Sequence, residues 1–166
     1  MHPCIIDKVP VMRHRFSLLA PLIAPLLLAG CVNDTASYQI DGREHALTVR
    51  VVQDYFWKKE GIVRLTTIHM PECQRQIELG EFPLAGLEIE LFASGPGLYT
   101  LRAGEETWQV ETAGCTQREA PEANAVTGQA LGNFHIDANN KLQFEAAEGA
   151  SDAPEADTGS TTEAAA

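Results

Sequence analysis

Apolar and polar residues alternate in short runs along the middle of the chain. Leu47, Val49 and Val51 fall on one face of an extended stretch with Thr48 and Arg50 on the other, and Leu87, Ile89 and Leu91 interleave with Glu88 and Glu90. A period of two is that of a strand with one buried face. Lys58-Lys59-Glu60-Gly61 reads as a turn before the extended residues Ile62 to Met70. Ser94-Gly95-Pro96-Gly97 reads as a loop before Leu98 to Arg102, and Ala103-Gly104-Glu105 as another before Thr107 to Glu111, where Trp108 and Val110 share a face. The pattern predicts an all-β, antiparallel domain over 38–118, a small barrel or a sandwich of five or six strands.

Beyond Arg118 the pattern thins. Glu119 to Ala130 has Val126 as its one large apolar residue and reads as a linker, and Phe134 to Asp137 with Lys141 to Phe144 predicts a last hairpin within 131–144 that docks loosely or adds an edge to the sheet. From Glu145 to Ala166 there is no Val, Leu, Ile, Phe, Tyr or Trp, while eight residues are Ala and six are acidic. Such a segment buries too little apolar surface to offset its conformational entropy, so 145–166 is expected to be a disordered acidic tail.

The other end carries an address. Met12-Arg13-His14-Arg15 precedes an apolar run from Phe16 to Leu28, and Leu28-Ala29-Gly30-Cys31 closes it. A positive start, a short apolar stretch and small residues at its end are the three parts of an export signal, here 1–30. A transmembrane helix needs about 20 apolar residues, and this run is shorter and broken by Pro21 and Pro25. Asp7 and Pro10 lie ahead of the basic segment and suit an n-region poorly, which makes Met12 the better start.

Leu28-Ala29-Gly30-Cys31 resembles the lipobox of bacterial lipoproteins. The resemblance implies that the Cys31 thiol receives a diacylglycerol, that the signal is cut just before it, and that the freed amine is acylated. Val32 and Asn33 lack the Asp that marks inner-membrane retention in enteric members of that family, which points to the outer membrane, facing the periplasm. The likeness ends at residue 31. Residues 31–37 then serve as a tether.

With Cys4 ahead of Met12 and Cys31 lipidated, Cys73 and Cys115 remain as an even pair. In an oxidising compartment such a pair reads as a disulfide. The competing readings are a reactive thiol or a metal pair. The densest metal candidate is His69-Met70-Pro71-Glu72-Cys73, whose imidazole, thioether and thiolate suit a soft ion such as copper, but no spacing repeats the ligands. The Gly-x-Ser-x-Gly elbow and the glycine-rich phosphate loop are missing, and Glu88 and Glu90 read as the solvated side of a strand. No enzyme activity and no cofactor are therefore expected. Tyr55-Phe56-Trp57 is the least ordinary stretch. Read as a strand, it exposes aromatic rings on one face unless something covers them: it is either a strand buried on both sides or wrapped by the linker, or a contact surface for a protein or glycan.

The formal charge of -11 belongs mainly to the end of the chain, since Glu119 to Ala166 holds nine acids and one base. No basic patch suggests nucleic acid, and the export signal excludes it more firmly than charge does. The reading is a non-catalytic envelope lipoprotein, held to the membrane through lipid on Cys31 and binding an envelope protein or glycan. Two alternatives accompany it. One is a periplasmic copper or zinc lipoprotein. The other is an inhibitor of a cell-wall hydrolase: Ser37-Tyr38-Gln39-Ile40 leading to Leu47-Thr48-Val49, with Ala93-Ser94-Gly95 later, is similar to small lysozyme-inhibiting lipoproteins, with Ile40 where that family has its first cysteine.

Overall fold

The structure is a computed structural model and describes residues 32–55 and 57–148. Residues 1–30, read above as an export signal, together with Cys31, Phe56 and residues 149–166 of the expected tail, lie outside the described residues. Ten strands run in order: β1 (Asn33–Gln39), β2 (His45–Val52), β3 (Glu60–His69), β4 (Cys73–Pro83), β5 (Glu88–Gly95), β6 (Leu98–Ala103), β7 (Glu106–Glu111), β8 (Thr116–Arg118), β9 (Gln129–Ile136) and β10 (Leu142–Ala146). All pair antiparallel, in a four-stranded sheet of order β1-β2-β3-β4 and a six-stranded sheet of order β10-β9-β5-β6-β7-β8. The protein is all-β, as the alternation predicts.

Inward positions of both sheets form one core. Leu47, Val49 and Val51 of β2 and Val63 and Leu65 of β3 meet Ile89 and Leu91 of β5, Leu101 of β6 and Phe134 of β9, all fully buried. This is a sandwich whose edges are tied together. On one side Asp34 of β1 accepts a hydrogen bond from the Leu142 amide at the start of β10 (3.0 Å), and the Tyr38 and Phe144 rings meet at 5.3 Å. On the other, Cys73 at the start of β4 is bonded to Cys115 in the turn before β8, with Cα atoms 5.9 Å apart. Edge strands invite pairing with other chains, and here β1 packs beside β10 while the start of β4 is bonded to the turn before β8.

Several sequence boundaries are corrected. Residues 33–37, read as tether, belong to β1, because Asn33 to Gln39 pair residue for residue with Val52 to Ala46. The 119–130 linker is not loose. Thr107 Oγ1 donates to the Pro121 carbonyl (2.5 Å), Arg102 to that of Ala123 (3.3 Å) and Ser94 to that of Thr127 (3.0 Å), strapping the segment across the six-stranded sheet through a 3₁₀ turn, Ala123–Ala125. The last hairpin starts at Gln129 rather than 131, and β9 pairs with β5, so it extends the sheet and contributes Leu131, Phe134 and Leu142 to the core. The ordered chain reaches past Glu145, since β10 ends at Ala146 and the Ala147 amide donates to the Leu131 carbonyl (2.9 Å).

β4 forms where the alternation predicts no strand. Its first half is Gln74-Arg75-Gln76, and its alternation slips where Leu79 is bulged out of register opposite Val63 and Arg64. The aromatic stretch is the reverse case. β2 ends at Val52, and Tyr55 and Trp57 lie in the loop before β3.

Candidate functional site

The loop between β2 and β3 is built on the first described residue, Val32. The inward phase of β2 runs Leu47, Val49, Val51 and then Gln53, a buried polar side chain at 9% exposure. Gln53 takes up both backbone groups of Val32: its backbone amide donates to the Val32 carbonyl (2.7 Å), and its Oε1 accepts from the Val32 amide (3.1 Å). Its Nε2 donates to the Lys58 carbonyl at the far end of the loop. A buried amide side chain left unsatisfied is costly, so Gln53 fixes the loop base against the start of β1.

From that base Tyr55 and Trp57 project into solvent at 52% and 65% exposure. Their rings stack on each other, centroids 4.9 Å apart and planes 14° from parallel. Lys58 beside them bonds Glu81 of β4 (2.6 Å) and lies 3.8 Å from Asp54, so its charge is compensated locally. Glu81 keeps the Lys58 ammonium above its ordinary pKa. The result is a flat, amphipathic aromatic platform with little net charge at its side.

At the opposite end of β2 and β3, His45 and His69 are paired in register and their rings stack at 4.3 Å and 22°. His45 Nε2 and His69 Nδ1 are buried without a hydrogen-bond partner. Burial lowers the His45 pKa, and His69 adds to the effect while Asp41 opposes it. His69 is half-buried. Stacked imidazoles direct their in-plane lone pairs side by side rather than at one point. Cys73, the thiolate of the proposed soft-metal set, is engaged with Cys115, and among the described residues no group of three or more His, Cys, Asp and Glu side chains converges.

The two outer faces differ. On the four-stranded sheet, Ser37 and Thr48 share a hydroxyl hydrogen bond (2.8 Å) and Gln76 donates to Thr66 (3.2 Å), while Arg50 and Arg64 stand opposite each other in register. Like charges so placed repel, and each turns away, Arg50 to Asn33 (2.9 Å) and Arg64 to Glu78 (3.2 Å). Thr35, Ser37, Gln39 and Arg43 border a shallow depression of about 250 Å³ there. On the other sheet Glu90 is ion-paired with Arg102 (2.6 Å), whose guanidinium lies over Phe92. Glu88 and Glu90 are thus not a free carboxylate pair.

No protein-family model, curated protein or solved structure matches this chain. Among the described residues no helix is long and apolar enough to cross a membrane. Of the residues singled out in the sequence, the structure joins Cys73 to Cys115 and brings Tyr55 to Trp57, but it does not gather His69, Met70 and Cys73 into a ligand set. Cys31 lies outside the described residues. Gln53 is inconspicuous in the sequence, and the one signal for it is its place in phase with Leu47, Val49 and Val51.

Proposed function

We propose that the protein is a lipid-anchored component of a bacterial cell envelope, non-catalytic, held through Cys31 to the outer membrane and displaying a disulfide-bonded β-sandwich to the periplasm, where it binds an envelope protein or glycan. The observation that carries this reading is the junction itself. Leu28-Ala29-Gly30-Cys31 stands two residues before β1, so removal of the signal leaves a folded domain that begins at its own anchor. The bridge between the two remaining cysteines suits the oxidising side of such a membrane.

The chemistry of the anchor supplies the attachment. Each buried methylene contributes about 0.8 kcal/mol, and two or more acyl chains hold stably where one does not. Expression of the full chain and of Cys31→Ala in a bacterial host with labelled palmitate tests the proposal. Label in the native protein, with an unlabelled and unprocessed Cys31→Ala precursor, supports it. Normal processing of the variant overturns it.

A further inference from the structure

We propose that the stacked Tyr55 and Trp57 rings seat in the headgroup layer of the membrane that carries the Cys31 lipid, fixing the orientation of the sandwich on the bilayer. This rests on the lipoprotein reading above. Its own support is the short path from anchor to platform. Cys31 is one peptide bond from Val32, Val32 is held by Gln53 through two hydrogen bonds, and Tyr55 is two residues further on. Consecutive Cα atoms are 3.8 Å apart and strand-paired ones about 5.5 Å, so the path from the Val32 Cα to the Tyr55 Cα spans no more than about 13 Å.

A diacylglyceryl thioether sets the cysteine at the glycerol level of the lipid. The polar layer outside the hydrocarbon is about 5–8 Å thick on each side. β1 starts at Asn33, two residues after Cys31 in the sequence, so a domain anchored through Cys31 holds its loop base close to the membrane surface. What that loop exposes is the residue pair enriched at membrane–water interfaces, where an apolar ring body and a polar N–H or O–H tip each find their preferred medium. Such rings exposed to water elsewhere on the sandwich would be a liability. Next to the lipid they contribute a second point of attachment. Because Lys58 is compensated by Glu81 and Asp54, the seating is aromatic rather than electrostatic and is insensitive to salt.

The test uses the native lipidated protein in phosphatidylethanolamine–phosphatidylglycerol vesicles, with and without brominated phospholipid, beside Trp57→Ala and a Tyr55→Ser/Trp57→Ser double variant. The chain has two tryptophans, and Trp108 is buried at 9% exposure, so the difference between native and Trp57→Ala isolates Trp57. We expect brominated lipid to quench the Trp57 component, aqueous acrylamide to quench it several-fold less than in the unlipidated domain from Val32 onward, and the double variant to float with vesicles while its β2–β3 loop becomes cleavable by protease. If the native protein floats with vesicles but Trp57 stays open to acrylamide and untouched by brominated lipid, the membrane seat is overturned and the platform is left to a protein or glycan. If the native protein neither floats nor carries lipid on Cys31, the anchor reading fails and this inference with it.

Discussion

Gln53 grips Val32 by both of its backbone groups, and with its remaining amide nitrogen it closes the loop that carries Tyr55 and Trp57. One residue therefore joins three things: the approach to β1, the end of β2 and the aromatic platform. Replacing it by Ala leaves the Val32 amide and the Lys58 carbonyl without their partner in a half-buried setting. The expected cost is about 2 kcal/mol, read as a lower urea midpoint with unchanged slope, together with faster proteolysis between Gln53 and Glu60. A Gln53→Ala protein as stable as the native one would show that the loop is not held in this way.

The Cys73–Cys115 bridge closes a span of 42 residues and joins edges of the two sheets. On the chain-entropy account a loop of that length contributes about 4 kcal/mol by restricting the unfolded chain. The Cys73→Ser/Cys115→Ser double variant is expected to lose about that amount in denaturant unfolding, and reduction of the native protein to reproduce it. A loss below about 1 kcal/mol would place the stability of the sandwich in its core alone.

The last hairpin is part of the fold. Phe134 is fully buried and packs on Phe144 at 4.8 Å. Truncating a buried phenylalanine to Ala typically costs about 3–5 kcal/mol, so Phe134→Ala should broaden or abolish the cooperative transition of the whole domain. If only the amides of β9 and β10 lose hydrogen-exchange protection in that variant, the hairpin is an appendage after all.

Acid should weaken the domain in two stages. The His45 imidazole is held below its ordinary pKa, first by burial and then by His69. The folded chain thus binds fewer protons than the unfolded one, and stability falls as the pH drops below the unfolded value of about 6.5. The Glu111 carboxyl is pushed up by desolvation but held below its ordinary range by the amides of Ala113 and Gly114 and the Thr116 hydroxyl. Asp137 is lowered foremost by the Lys141 amide, against desolvation and with help from Asn139. These depressed carboxylates stabilise above their unfolded values near pH 4, and that contribution is lost as the pH falls through the folded ones. Melting temperatures across this range should show both limbs, and His45→Gln should remove the upper limb only. A persisting upper limb would assign it to another group.

Strands with clean alternation are legible in the sequence. Leu47-Val49-Val51, Leu87-Ile89-Leu91 and Trp108-Val110 face the core as their period of two requires. The Cys73–Cys115 pair is legible once the Met12 and lipobox readings set Cys4 and Cys31 aside. β1 and β4 are not, for different reasons. The inward positions of β1 are Asp34, Ala36 and Tyr38, of which Asp34 is polar because it serves Leu142 across the sandwich edge, 108 residues away. In β4 the bulge at Leu79 shifts the phase, so Ile77 and Phe82 share no parity although both pack on the core. The Tyr55-Phe56-Trp57 stretch reads as a strand because aromatics favour strands, yet Gln53 follows the end of β2 and ties the chain back to Lys58. The histidine pair depends on the β2–β3 register, which no local pattern specifies.

The proposed function stands on Cys31, which we propose to be both the first residue of the mature protein and its lipid anchor. Mass spectrometry of the amino-terminal peptide, from protein expressed in a bacterial host and extracted from its membranes, tests that claim most directly. The expected peptide begins at Cys31, with a diacylglyceryl thioether on its sulfur and an acyl group on its amine. A peptide that begins anywhere upstream, or an unmodified Cys31, would contradict it.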